Sequence, residues 1–282
     1  MPLVSLLSAT MLLPALAAGP IATGAPSHAA TKGGGRPQTV AAAASLASLT
    51  AETRSVPMAG RAFPGMPQFG ELVWQNPDGS PGAELCTAVA VDSAGGDLIA
   101  TAAHCVDGVR SRIGGPMTVA YLPGTDGAAR PYGVWYPTRI IRAQQWMNGV
   151  KNPDFDIAFL TVARPGTARS LASFTGSEHF GTVPPAGALG VQIGYPYTSS
   201  DPIVCRNALR FHAPTQLEFD CAGYAGGSSG GPVLTRVDPH DGVGTLVGVI
   251  GGYQRGGVHD DISYASAFTP AVEQFYRQAA RL

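Results

Sequence analysis

The chain alternates short apolar runs with clusters of glycine, proline and polar residues along most of its length. Short runs bounded by turn-forming residues are typical of β-strands rather than helices. A first group of six strands is predicted at Glu71–Trp74, Cys86–Asp92, Asp97–Ala102, Met117–Tyr121, Gly133–Arg142 and Asp156–Val162. After a Gly/Pro/Ser-rich crossover, six more are predicted at Leu189–Tyr195, Ala208–Phe211, Gln216–Cys221, Pro232–Thr235, Thr245–Ile250 and Tyr264–Phe268. The pattern predicts two antiparallel barrels or one sandwich.

Both ends of the chain depart from this strand pattern. The apolar, uncharged run Leu3–Ala18 predicts a signal peptide over residues 1–30, with cleavage near Ala17 or Ala30. A buried core helix is the alternative. Residues 31–62 are poor in large apolar side chains, so we interpret them as a propeptide or disordered linker before a folded domain at 63–282. A C-terminal helix is predicted at 270–282, with Thr269 as its cap.

The charge balance argues against several kinds of partner. The 282 residues carry a net charge of -1, which favours neither nucleic acid nor an anionic membrane surface. His179, His212, His240 and His259 have no acidic or cysteine partners at metal-ligand spacing, so no metal or cofactor is expected. We expect a soluble, secreted monomer that does not associate with the membrane once the signal peptide is removed.

Four cysteines fit an exported protein, because disulfides persist in oxidising compartments. Pairing sequence neighbours gives Cys86–Cys105 and Cys205–Cys221, each worth roughly 3 kcal/mol by the chain-entropy argument. The other pairings stay open from the sequence alone.

Three separate runs carry candidate chemistry. Gly226–Pro232 places glycines on both sides of Ser229, which allows an exposed hydroxyl beside converging backbone N–H groups. His104 follows small residues at a strand end and directly precedes Cys105, whose disulfide would fix its position. Asp156 opens a strongly apolar strand, where a carboxylate is costly unless it is paired. Asp154 is the rival acid, but it lies in an Asn-Pro-Asp turn and is expected to face solvent.

Together the runs T-A-A-H-C, D-I-A-F-L and G-S-S-G-G-P, in this order, resemble the chymotrypsin-like (trypsin-like) serine peptidases, in particular secreted bacterial enzymes related to glutamyl endopeptidase. The resemblance implies two six-stranded antiparallel barrels, at about 66–165 and 185–268. It also implies a triad that cuts proteins or peptides through an acyl-enzyme, with Ser229 as nucleophile, His104 as base and Asp156 as its orienting acid. The oxyanion hole would be formed by the N–H groups of Gly227 and Ser229.

The same resemblance implies that Gly251, Gly252 and Tyr253 lie beside the bound substrate and that Gly223 lies at the base of the specificity pocket. Gly223 stands where a preference for Lys or Arg needs an Asp, and Ile250 stands where glutamyl endopeptidases have a His. Ser228 replaces the Asp that pairs with a new N-terminus on activation. The residue preference and the mode of activation therefore stay open.

Two rival functions remain. The Gly227–Gly231 run also fits the G-x-S-x-G elbow of an α/β-hydrolase esterase, although strand-forming residues follow it where that fold needs a helix. The other rival is a peptidase-like module that binds without catalysis.

Overall fold

A computed structural model describes residues 58–110 and 118–282. The predicted signal peptide and most of the predicted linker lie outside the described residues. Fifteen described strands are β1 Arg61–Ala62, β2 Phe69–Gln75, β3 Pro81–Ala90, β4 Leu98–Thr101, β5 Val119–Pro123, β6 Tyr136–Arg142, β7 Ala158–Ala163, β8 His179–Phe180, β9 Leu189–Gly194, β10 Ile203–Ala208, β11 Arg210–Ala213, β12 Gln216–Phe219, β13 Pro232–Thr235, β14 Thr245–Ile250 and β15 Ser263–Ala267. The α-helices are Gln144–Met147, Ala172–Thr175 and Pro270–Ala279.

The first sheet contains the six strands of the first predicted group, in the antiparallel order β5-β2-β3-β4-β7-β6. The sheet curls until its two edge strands, β5 and β6, come together. There Tyr121 of β5 and Trp135, the residue before β6, exchange two backbone hydrogen bonds of 2.8 and 2.9 Å. Trp135, Tyr121 and Leu160 are fully buried inside it. The prediction of a first six-stranded antiparallel barrel is confirmed.

The second sheet is also curled and antiparallel along its main path, with the order β1-β10-β9-β13-β14-β15-β12-β11. It has more strands than the six predicted. β1 lies upstream of the predicted domain start at residue 63 and adds to the edge at β10, while β8 adds two residues parallel to β14. β10 was not predicted, because the predicted strand Ala208–Phe211 covers only its last residue, the single linking residue Leu209 and the start of β11. The predicted Cys205–Cys221 disulfide, which is present, joins β10 to the residue two positions after β12.

The C-terminal helix packs its apolar stripe against aromatic side chains. Thr269 caps it by accepting a hydrogen bond from the Val272 N–H, as predicted. Phe275 and Tyr276 contact Phe159 of the first barrel, and Tyr276 also stacks on Phe180 at a centroid distance of 3.8 Å. The helix therefore packs against the barrels from outside.

Among the described residues, no helix has the length and apolarity needed to cross a bilayer.

Glu178 is a fully buried carboxyl at the junction of the two barrels. Its backbone pairs with the first barrel at Val91, while its Oε2 accepts a 2.5 Å hydrogen bond from the Gly244 N–H of the second. Its Oε1 has no hydrogen-bond partner among the described residues. Burial raises the pKa of Glu178 well above its usual range, and the Asp241 and Asp92 carboxylates raise it further against the lowering effect of the Gly244 bond.

This buried acid makes stability pH-dependent. Because the folded pKa lies above the unfolded one, the folded state holds its proton more tightly, and stability is lost as pH rises from about 4.5 towards the folded pKa. In Glu178→Gln, that loss is expected to disappear, so the variant gains unfolding free energy relative to wild type between pH 4 and pH 8. Urea unfolding across this range measures the difference, and a constant difference would contradict the prediction. Glu273→Gln, at a half-buried surface carboxylate, serves as the control.

Candidate active site

His104 lies in a 3-10 helix, Ala103–Val106, that begins two residues after β4 ends. The alanines at 102 and 103 are fully buried, so the backbone packs tightly where the imidazole begins. Cys105 forms the predicted disulfide with Cys86 of β3, with a Cα–Cα distance of 6.2 Å. The side chain of His104 is 12% exposed, so part of it is accessible to solvent.

Asp156 sits directly after a second 3-10 helix, Pro153–Phe155, and its side chain is fully buried. Its carboxylate accepts three N–H groups: His104 N at 2.8 Å, His104 Nδ1 at 2.7 Å and Gly252 N at 2.9 Å. Because the carboxylate accepts at Nδ1, the ring proton is assigned to that nitrogen, and Nε2 is left as a lone-pair acceptor. This is the state in which an imidazole can remove a proton from a hydroxyl.

Asp154 is held elsewhere. Its Oδ1 accepts hydrogen bonds from Thr215 Oγ1 at 2.6 Å and Gln216 Nε2 at 2.9 Å, so it joins the loop before β7 to the start of β12. The expectation that it faces solvent is therefore corrected. Gln216 links Asp154 to a third segment, since its Oε1 accepts a hydrogen bond from the Tyr253 N–H at 2.9 Å. Asp154 and Gln216 thus position the backbone at Tyr253.

Ser229 lies in the loop between β12 and β13. Gly227 and Gly230 on its two sides have φ angles of +97° and +81°, which glycine adopts without strain. A Cβ on Gly230 would overlap Thr101 Oγ1 and would lie 3.0 Å from the Ala102 N atom. The loop carrying Ser229 therefore packs directly on the strand end that leads to His104.

Thr87 of β3 holds this loop in place, and sequence reasoning did not identify it. Its N–H donates to the Ser229 carbonyl at 2.8 Å, and its Oγ1 donates to the Gly227 carbonyl at 3.0 Å. The same Oγ1 accepts the Tyr195 N–H at 2.9 Å. One fully buried threonine thus joins the loop that carries Ser229, in the second barrel, to a strand of the first.

Replacing Thr87 with valine keeps its shape and removes the hydroxyl. The change leaves the Gly227 carbonyl and the Tyr195 N–H without this partner, so we expect a loss of about 2 kcal/mol or more of unfolding free energy. We also expect kcat/KM to fall by roughly tenfold or more, since the loop loses a fixed contact. Chemical denaturation and steady-state kinetics measure the two effects. Thr87→Ser, which keeps the hydroxyl, should retain most of both quantities; equal losses in the two variants would contradict the argument.

The backbone N–H groups beside Ser229 divide into two sets. Those of Ser228, Gly230 and Gly231 donate to the carbonyls of Ala225, Ile250 and Ser228. Within residues 58–110 and 118–282, no acceptor is bonded to the N–H of Gly227 or Ser229. These two groups are the ones predicted for the oxyanion hole, and both remain available to an incoming oxygen.

A cavity of about 380 Å³ opens beside Ser229. Its lining residues are Tyr224, Ala225, Gly226, Ser228, Ser229, Ile250 and the segment 255–260. Gly223, predicted at its base, is not in the lining; its N–H instead donates to the Asp260 carbonyl at 2.7 Å. The wall at 255–260 was not predicted, because a loop rich in glycine and polar residues gives no sequence signal of packing against a distant one.

The three residues predicted to lie beside the substrate, Gly251, Gly252 and Tyr253, lie in two different environments. Gly252 donates to Asp156, and a Cβ on Gly251 would lie 3.0 Å from Asp156 Oδ2, so both contact the buried acid. Tyr253 is 38% exposed and packs its ring on His212 and Tyr264. All three lie outside the lining of the described cavity, and their contact with substrate stays a prediction.

Cys86, His104 and Cys105 are the group of potential metal ligands that the described part of the chain brings together. Both sulfur atoms are used in the disulfide, so the group offers a metal only the imidazole.

Comparisons with known proteins agree with this geometry. The fold is similar to solved structures of protease Anisep from Arthrobacter nicotinovorans (22% identity, TM-score 0.64, covering 79% of this chain and 99% of that one) and of a thermostable serine protease, AL20, from an extremophilic microorganism (20%, 0.62, 76% and 97%). It is also similar to a Glu endopeptidase (14%, 0.61, 79% and 97%). No curated protein sequence matches the chain. Residues 86–249, more than half of the sequence, match the trypsin-like peptidase domain, and the chain therefore belongs to that family and is a serine endopeptidase.

Proposed function

We propose that the enzyme hydrolyses peptide bonds through Ser229, His104 and Asp156, by way of an acyl-enzyme intermediate. The observation that carries the proposal is the fully buried Asp156 carboxylate, which accepts both the backbone N–H and the Nδ1–H of His104. A buried carboxylate stabilises the imidazolium that forms when the ring takes a proton. The same contact fixes the tautomer that leaves Nε2 free to act as a base.

The steps follow from these groups. Nε2 of His104 takes the proton of Ser229 as Oγ attacks the scissile carbonyl, and the carbonyl oxygen becomes negatively charged. The free N–H groups of Gly227 and Ser229 stabilise that charge, each contributing on the order of 3 kcal/mol. The imidazolium then gives its proton to the leaving amine, and the acyl group stays on Oγ. Water, activated by the same Nε2, releases the acid and restores the serine.

A fluorophosphonate probe tests the nucleophile directly. The purified protein is expected to react, and peptide mass spectrometry is expected to locate the adduct at Ser229. Ser229→Ala should not react, whereas Ser173→Ala, which changes an exposed serine on a surface helix, should react at the wild-type rate. Absence of reaction in the wild type, after removal of the N-terminal segment, would contradict the proposal and favour a peptidase-like binding module.

We also propose that the enzyme is exported. The apolar N-terminal run and the two disulfides, Cys86–Cys105 and Cys205–Cys221, support this, because disulfides persist outside the reducing cytosol. N-terminal sequencing of protein recovered from the culture medium is expected to find a chain that begins after Ala17 or Ala30. Recovery of only full-length protein from the cell interior would contradict export.

A further inference from the structure

Glu84 is an acidic residue of β3 that lies against the oxyanion hole and has no part in the proposed chemical steps. A Cβ placed on Gly227 would lie 2.7 Å from Glu84 Oε1, so this oxygen lies against the Cα of Gly227. Oε1 is buried and has no hydrogen-bond partner among the described residues. An unpartnered carboxyl oxygen therefore lies beside one of the two groups proposed to bind the developing negative charge.

Within the described part of the chain, Glu84 forms no salt bridge, and Glu71 is the charged group that shifts its pKa. Glu71 of the neighbouring strand β2 adds a second carboxyl. Burial raises the pKa of Glu71, and the positive charge of Arg130 partly opposes that rise. On the other side, the Tyr197 ring packs on Gly227 while its Oη donates to the Leu85 carbonyl at 2.7 Å.

These neighbours determine when the Glu84 carboxyl is charged. Burial, and then repulsion from Glu71, raises the pKa of Glu84 to about 8. The tyrosines near it, Tyr195 and Tyr197, have pKa values raised above their usual range and are uncharged in the same region. Glu84 is therefore largely neutral at pH 7 and becomes charged over about the next two pH units.

We propose that Glu84 is a proton-dependent positioning residue of the oxyanion hole, an inference that rests on the proposed function. In its neutral form the carboxyl leaves the N–H groups of Gly227 and Ser229 free to stabilise an oxyanion. In its ionised form it places a fixed negative charge against the Gly227 peptide, where it opposes the charge that develops on the substrate and attracts the N–H dipole away from it. Acylation of Ser229 therefore slows as Glu84 loses its proton.

The effect is large because the two charges have the same sign and share a partly buried site. At an effective dielectric constant of about 20, two like charges within about 10 Å of each other repel strongly enough to change a rate by roughly tenfold or more. This alkaline loss is separate from the acid limb that protonation of a catalytic histidine produces. The signature of Glu84 is thus a fall in acylation rate with an apparent pKa of about 8.

The test is the rate of reaction with an uncharged fluorophosphonate probe between pH 6 and pH 10, in four forms of the protein. The wild type is expected to lose about tenfold or more through a limb near pH 8. Glu84→Gln, which is neutral at every pH, is expected to lack that limb. Glu71→Gln removes the carboxyl that raises the pKa of Glu84, so its limb should move to lower pH. Glu273→Gln, a matched change on the distant C-terminal helix, should follow the wild type.

Two outcomes would contradict the inference. If Glu84→Gln keeps the wild-type alkaline limb while Ser229 still reacts at pH 6–7, Glu84 does not have this role and the proposed function stands. If the wild type reacts at no pH, the proposed function fails, and this inference fails with it. Circular dichroism confirms folding of each variant, and Glu84→Ala, expected also to lack the limb, repeats the test should Glu84→Gln not fold.

Discussion

Replacing Asp156 with asparagine is expected to lower kcat/KM for a peptide substrate by about four orders of magnitude at neutral pH. The carboxylate accepts three N–H groups, two from His104 and one from Gly252. An amide NH₂ in place of one oxygen would face at least one of these donors, and the ring can restore a hydrogen bond only by moving its proton to Nε2. That nitrogen can then no longer accept the proton of Ser229. Steady-state kinetics on the purified variant measures the loss.

Asp154→Asn is the matched control for this change. It alters the same type of residue two positions away, where the carboxylate binds Thr215 and Gln216 instead of the histidine. We expect its kcat/KM to stay within about tenfold of wild type. If both variants lost activity to a similar extent, or if Asp156→Asn kept it, the assignment of the acid would be wrong.

Replacing Gly230 with alanine is expected to reduce the unfolding free energy by about 3 kcal/mol or more and to slow fluorophosphonate labelling strongly. Two costs combine: the φ of +81° disfavours any residue with a Cβ, and that Cβ would overlap Thr101 Oγ1 and the Thr87 carbonyl. The loop that carries Ser229 must then move away from the strand end before His104. Urea unfolding and the labelling rate measure the two consequences.

Gly187→Ala separates the two costs. Gly187 has a similar φ of +87°, and a Cβ there would meet nothing within 4 Å. Its substitution should therefore cost only the backbone strain, about 1–2 kcal/mol, and leave labelling unchanged. Equal destabilisation by the two alanine variants would show that the overlap at Gly230 is relieved without consequence.

The parts that sequence predicted well depend on local patterns. The first six strands appear as apolar runs between turns, and the C-terminal helix has its cap and its apolar stripe within a few residues of each other. Both disulfides join sequence neighbours, which is the pairing that short loops favour. His104 and Asp156 could be selected because a histidine and a carboxylate next to buried strands need a partner, and the structure brings them together.

The parts that sequence missed depend on contacts between distant segments. Thr87 looks like any strand residue until Gly227, 140 positions later, accepts its hydroxyl. Glu84 and Glu178 are ordinary acidic residues in the sequence, and only folding buries their unpartnered oxygens. The cavity wall at 255–260 lies in a glycine-rich loop whose position is set by the Asp260 carbonyl, which accepts the N–H groups of Gly223 and Tyr224. No local periodicity encodes such contacts.

Because the site is divided between two sheets, it cannot be complete while the chain is still being synthesised and folded. His104 and Asp156 lie next to strands of the first barrel and the loop of Ser229 lies in the second, and Thr87 bonds the two barrels together. A ribosome-bound or partly folded molecule therefore holds only some of the residues proposed to act in catalysis. We expect no peptidase activity from the nascent chain until the last strands have been synthesised and both sheets have closed.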